Sequence, residues 1–79
     1  MNTSKVYLRS EDIIKAKELS KNLKELLIKE YLGDTPIYIF ANKEKQKFRV
    51  PRDRWISLES DVISLLKENL GEENVKVQE

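Results

Sequence analysis

The chain has 79 residues, enough for one hydrophobic core and too few for two, since a domain of this size hides only roughly 60% of the surface its unfolded form exposes. A composition 39% hydrophobic and 37% charged, with 2 Gly and 2 Pro, argues against disorder, and 15 Lys and Arg against 14 Asp and Glu leave a net charge of +1, too little for a global field that would recruit nucleic acid or anionic membrane. Cysteine and histidine are both absent, which removes disulfides, thiolate nucleophiles, soft metal sites and the usual general base.

Along the chain, Met1-Asn2-Thr3-Ser4 lacks the apolar core of a signal peptide, and the longest apolar stretch, Ile37 to Ala41, is far short of a membrane span, so a cytoplasmic location is expected. Lys5 to Arg9 alternates apolar Val6 and Leu8 against Tyr7 and two basic ends, the pattern of a half-buried strand. Ser10 is placed to cap a helix, with Glu11 and Asp12 in the first turn at the positive end of the dipole. Ala16, Leu19, Leu23, Leu26 and Leu27 then recur at steps of three and four and predict a helix with one apolar face. Gly33 is expected to end it in a left-handed conformation, and Asp34-Thr35-Pro36 to keep it from resuming.

Ile37 to Ala41 is β-branched and aromatic and predicts a second strand, joined through the polar turn Asn42 to Lys45 to a third, Gln46 to Val50, with Phe48 and Val50 on one side. Pro51 closes that hairpin, and Trp55 is expected to cover one end of the core. A second helix follows, capped by Ser57 or Ser60, striped by Leu58, Val62, Leu65, Leu66 and Leu70 and ended by Gly71; Asn74 to Val77 makes a last strand.

The succession βαββαβ defines an α+β class, the ferredoxin-like split arrangement, with two helices on one face of a four-stranded sheet and a single domain, residues 1–79, ordered from about residue 5 to residue 77. One tension remains inside that expectation. The usual strand order of the fold, 4-1-3-2, puts the second strand at an edge, yet this is the most apolar strand of the four. Either another segment covers that edge or the order differs, because a bare apolar edge invites pairing with other chains.

Little in the sequence points to catalysis. Carboxylates lie mostly on helix faces interleaved with lysine, as in Lys21, Glu25 and Lys29, where weak solvated ion pairs are the plain explanation. Glu72-Glu73 has nothing beside it to complete a metal shell, and both glycines serve as helix ends, which leaves no phosphate loop. No cofactor and no metal are expected. Lys17, Lys21 and Lys24 share a helix face, but Glu18 and Glu25 dilute their field.

The outer sheet face carries the sharper signal. If Val6, Leu8, Ile37, Ile39, Phe48, Val50, Val75 and Val77 point to the helices, alternation puts Tyr7, Arg9, Tyr38, Phe40, Lys47, Arg49 and Lys76 on the other side, three aromatics among four cations. Aromatic and basic sheets stack bases and follow phosphates in single-stranded nucleic-acid binders, but the glycine-containing aromatic motif of an RNA-recognition strand is replaced here by Lys47-Phe48-Arg49-Val50-Pro51. Cover by a neighbouring domain or a partner protein is the competing reading, and an ordinary solvated surface the third.

Taken together, Val6-Tyr7-Leu8-Arg9, Leu23-Lys24-Glu25-Leu26-Leu27, Gly33-Asp34-Thr35-Pro36-Ile37-Tyr38, Arg49-Val50-Pro51 to Trp55 and Leu70-Gly71-Glu72-Glu73-Asn74-Val75-Lys76 resemble the extreme C-terminal region of the bacterial DNA polymerase III alpha subunit of the DnaE type. The resemblance spans roughly Lys5 to Val77, and its most distinctive parts are the Gly-Asp-Thr-Pro turn, the later Trp and the terminal Leu-Gly followed by Asn-Val. It implies a domain that follows an oligonucleotide-binding fold, lies far from the catalytic aspartates, and contacts the clamp-loader tau subunit or an adjacent polymerase domain. Nucleotidyl transfer would then belong to the parent protein and not to this piece, which carries none of the polymerase motifs. The alpha subunit is very large and this chain begins with its own Met1, which an excised domain or a stand-alone homologue would each explain.

Overall fold

The computed structural model describes residues 4–27 and 29–78; Met1 to Thr3, read above for a signal peptide, lie outside them. Strand β1 (Lys5–Ser10) leads into helix α1 (Ile13–Leu26), a 3₁₀ turn over Lys29–Tyr31 and a short strand β2 (Leu32–Thr35). Strands β3 (Ile37–Ala41) and β4 (Gln46–Arg49) form a hairpin, a second 3₁₀ turn covers Arg52–Arg54, and helix α2 (Ser60–Leu70) is followed by a third turn and strand β5 (Val75–Gln78). Two helices and a four-stranded mixed sheet give the α+β class expected from the sequence, compatible with a ferredoxin-like split βαβ fold.

The sheet order is β4-β3-β1-β5, with β3 parallel to β1 and the two outer strands antiparallel to their neighbours. This settles the tension over the apolar strand by the second route: the order differs from 4-1-3-2. β3 has a neighbour on each side, so Ile37, Ile39 and Ala41, all fully buried, are never at an edge. The edge is taken instead by β4, whose Gln46-Lys47-Phe48-Arg49 is short and charged, a composition that discourages pairing with other chains. Helix α1 makes the crossover that a parallel β1–β3 pair requires.

Register follows from burial. Val6 opposes Ile37 and Leu8 opposes Ile39 on the inner face, and a slip of one residue would turn the apolar pair of the slipped strand to solvent. These residues join Ala16, Leu23, Leu27, Val62 and Leu66 in one cluster with Val50, Ile56 and Val75, so both helices cover the same side of the sheet. Leu23 is fully buried at its centre.

Local expectations are corrected at three places. Ser10 does not cap α1, because it still pairs with Ala41 as the last residue of β1; the cap is Asp12, whose carboxylate accepts from the Lys15 backbone N–H at 2.8 Å. A second carboxylate, that of Glu44 in the β3–β4 turn, accepts from the Ile13 N–H at 2.9 Å, so two acids meet the positive end of the helix. Neither Ser57 nor Ser60 caps α2 through its side chain; Glu59 holds the N-cap position without a side-chain bond.

Gly33 is the third correction. α1 ends at Leu26, well before it, and Gly33 lies in β2 without a positive φ. The backbone of this segment pairs elsewhere: Gly33 N–H donates to the Trp55 carbonyl at 3.0 Å and Ser57 N–H to the Tyr31 carbonyl at 2.8 Å. A Cβ on Gly33 would stand 2.7 Å from the Ser57 Cα, so this glycine permits a close backbone crossing and ends no helix. Gly71, with φ +93°, does end α2 as expected.

Candidate functional site

Strand alternation delivers all seven sequence-selected residues to the face away from the helices. Tyr7, Tyr38 and Phe40 are half-buried there, and Arg9, Lys47, Arg49 and Lys76 are exposed. The register arranges them in rows across the strands. Lys76, Tyr7, Tyr38 and Arg49 stand opposite one another from β5 to β4, and Arg9, Phe40 and Lys47 make the next row.

In-register neighbours on parallel strands bring the two tyrosine rings face to face, with centroids 5.5 Å apart and planes 26° from parallel. Lys47, reaching diagonally from β4, places its ammonium 5.5 Å from the centre of each ring. Arg49 turns outward along the edge, where its guanidinium lies 5.6 Å from the Trp55 ring and Arg52 lies 5.3 Å from it. The Trp55 indole N–H donates to the Val50 carbonyl at 2.8 Å, which fixes the ring at the end of β4. Tyr7, Arg9, Phe40 and Lys76 share a recess with Glu73 and Asn74 of about 140 Å³, below the roughly 300 Å³ of an ordinary small-molecule site.

Three members of this surface escaped the sequence reading. Lys5 approaches the Tyr38 ring at 5.9 Å, and its parity with Tyr7 on β1 was sufficient to place it on the outer face. Trp55 and Arg52 belong through a turn whose path no periodicity encodes.

Among the described residues, no group of three or more His, Cys, Asp or Glu is placed to hold a metal ion, and no helix is long and apolar enough to cross a membrane. The Lys15 ammonium is held above the ordinary lysine range by its hydrogen bond to Glu11 and by the charge of that carboxylate, an exposed pair at the start of α1.

Fold and surface together define a small α+β domain with one sheet face covered by helices and the other presenting aromatics rimmed by cations. In sequence the chain is 30% identical, over 74 residues or 94% of its length, to DNA polymerase III subunit alpha of Bacillus subtilis (strain 168). That similarity supports a relation to a part of that protein, since the chain spans only 6% of its length. No family model matches the chain. No solved structure matches it either.

Proposed function

We propose that the chain is a single domain, residues 1–79, of a cytoplasmic replicative DNA polymerase III alpha subunit, from its C-terminal region, and that it acts by contact and not by catalysis. Its partner in this reading is the clamp-loader tau subunit or a neighbouring polymerase domain. The similarity to the Bacillus subtilis alpha subunit supports the parent protein. The observation that carries the contact function is the outer face, where tyrosine and lysine side chains already occupy each other's surfaces.

Energetics favour protein over single-stranded nucleic acid on that face. Stacking a base on an aromatic contributes about 1–3 kcal/mol. Inserting one here would first separate a tyrosine pair worth about 0.5–1.5 kcal/mol and displace an ammonium worth about 0.5–1 kcal/mol at an exposed site. The two sides nearly cancel. A protein surface, by contrast, can pack on the ring edges and pair with the cations without dismantling the cluster.

Calorimetric titration of the 79-residue chain, and of the longer C-terminal region of the parent, with the tau subunit tests the reading. Binding that weakens when Tyr38 becomes alanine is the expected result; no binding by either protein overturns it. The aromatic and basic composition of the face supports the second reading, a single-stranded nucleic-acid module. That reading predicts affinity for oligothymidylate that falls steeply with added salt, and flat titrations at low salt remove it.

A further inference from the structure

The four strands of the sheet contain five cations, Lys5, Arg9, Lys47, Arg49 and Lys76, and no carboxylate. All five stand at outward-facing register positions. Ten Lys and Arg are left to face all 14 Asp and Glu elsewhere in the chain, so a molecule of net charge +1 presents a distinctly cationic sheet. Among the described residues none of the five forms an ion pair; the ion pairs are Lys15–Glu11 at the start of α1 and Arg52–Asp34, the latter reaching into β2. Glu73, at the rim of the recess, is the carboxylate that borders the face.

We propose that this face docks an extended, acidic segment of a partner protein, laid across the strands along the row Lys76, Tyr7, Tyr38, Arg49. This rests on the reading of the domain as a contact module and adds the chemistry of the partner. Charge complementarity requires carboxylates, because a neutral or basic segment laid along this row would cover its end cations, Lys76 and Arg49, without compensation. Geometry sets their spacing. Four strands span about 15 Å, which four to five residues of extended chain cover, so acids four residues apart meet the two end cations while the residue midway lies over the tyrosines. A peptide needs no access to the ring faces, which the tyrosine pair and Lys47 already fill.

The test titrates the 79-residue, isotope-labelled chain with a synthetic peptide, Glu-Ser-Leu-Ser repeated three times, against its Gln-Ser-Leu-Ser counterpart and a twelve-nucleotide oligothymidylate, reading amide shifts and affinity. Amide shifts at Tyr7, Tyr38 and Phe40 with the glutamate peptide are expected, together with a loss of about tenfold or more on Lys47→Glu plus Arg49→Glu and no loss on Lys17→Glu plus Lys21→Glu. A cooperative melt of the charge-reversed chain, with the chain fully folded at the titration temperature, separates lost binding from lost fold. Equal binding of the glutamine peptide, shifts confined to the α1 lysines, preference for the oligonucleotide, or no binding at all overturns the inference. Tau binding without a peptide response sinks this inference alone; a peptide response without tau binding sinks the assignment of tau as the partner alone.

Discussion

Gly33 and Gly71 look alike in sequence, each following an apolar helical run, but they serve different ends. At Gly33 the obstacle to a side chain is backbone, the Ser57 Cα and N at 2.7 Å, which cannot swing aside as a flexible side chain would. Gly33→Ala should therefore destabilise by about 1–3 kcal/mol through overpacking, measured by urea unfolding. Indifference to the substitution would mean that the crossing with Ile56 and Ser57 is loose. Sequence reading could see that a glycine was needed but not why, because the strand that approaches it comes from more than twenty residues downstream. Trp55 is a similar case. Size and polarity suggested a cover for one end of the core, whereas the contacts its ring makes are the Val50 carbonyl it donates to and the two arginines over it, none of which the sequence announced. Trp55→Phe should cost about 0.5–1.5 kcal/mol for the lost hydrogen bond, read in the same unfolding assay.

At the level of elements, α1 was the most legible part of the chain, since its apolar steps of three and four translate directly into the buried Ala16, Leu23 and Leu27. Leu23→Ala should cost about 2–5 kcal/mol, a large share of the stability of a domain this small, and appear as a lowered melting temperature. Its start was misplaced by two residues because Ser10 and Asp12 are both good caps; the strand pairing of Ser10 with Ala41 decides between them. Asp12→Ala should accordingly cost about 1 kcal/mol while Ser10→Ala, judged on capping, costs none. Thermal melts of the two variants side by side distinguish them. The end of α1 was beyond local reading: Leu26-Leu27-Ile28 continues the apolar pattern in sequence, whereas the Tyr31 and Gly33 backbones further on pair with residues 55–57. Tertiary partners override propensity there. The strand order was half legible, since the apolar character of Ile37 to Ala41 called for either a covered edge or a different order, and the pairing of β3 on both sides decides for the second.

On the scale of the whole molecule, the sheet separates two jobs. Its inner face holds the single buried cluster and therefore the stability; its outer face holds the aromatics and cations and therefore, in the proposed reading, the contact. Alternation along strands is what made the outer face readable from sequence, whereas its charge segregation becomes complete only once Lys5 joins the face and Asp34 is seen to lie in β2, outside the four-stranded sheet. With no histidine or cysteine, the resolved displacement is that of Lys15, whose raised value means that what its pairing with Glu11 contributes is present below the ordinary lysine range and fades only as pH rises beyond it, roughly pH 10 and above. Because one cluster joins both helices to all four strands, calorimetric and van't Hoff enthalpies of unfolding should agree, near about 55 kcal/mol at a melting point around 60 °C. Lys47→Glu plus Arg49→Glu should lower stability by no more than about 1–2 kcal/mol, the loss of two exposed cation–π contacts. A large destabilisation would show that the cations over the tyrosines and Trp55 hold the fold together, and that the two faces are not independent after all.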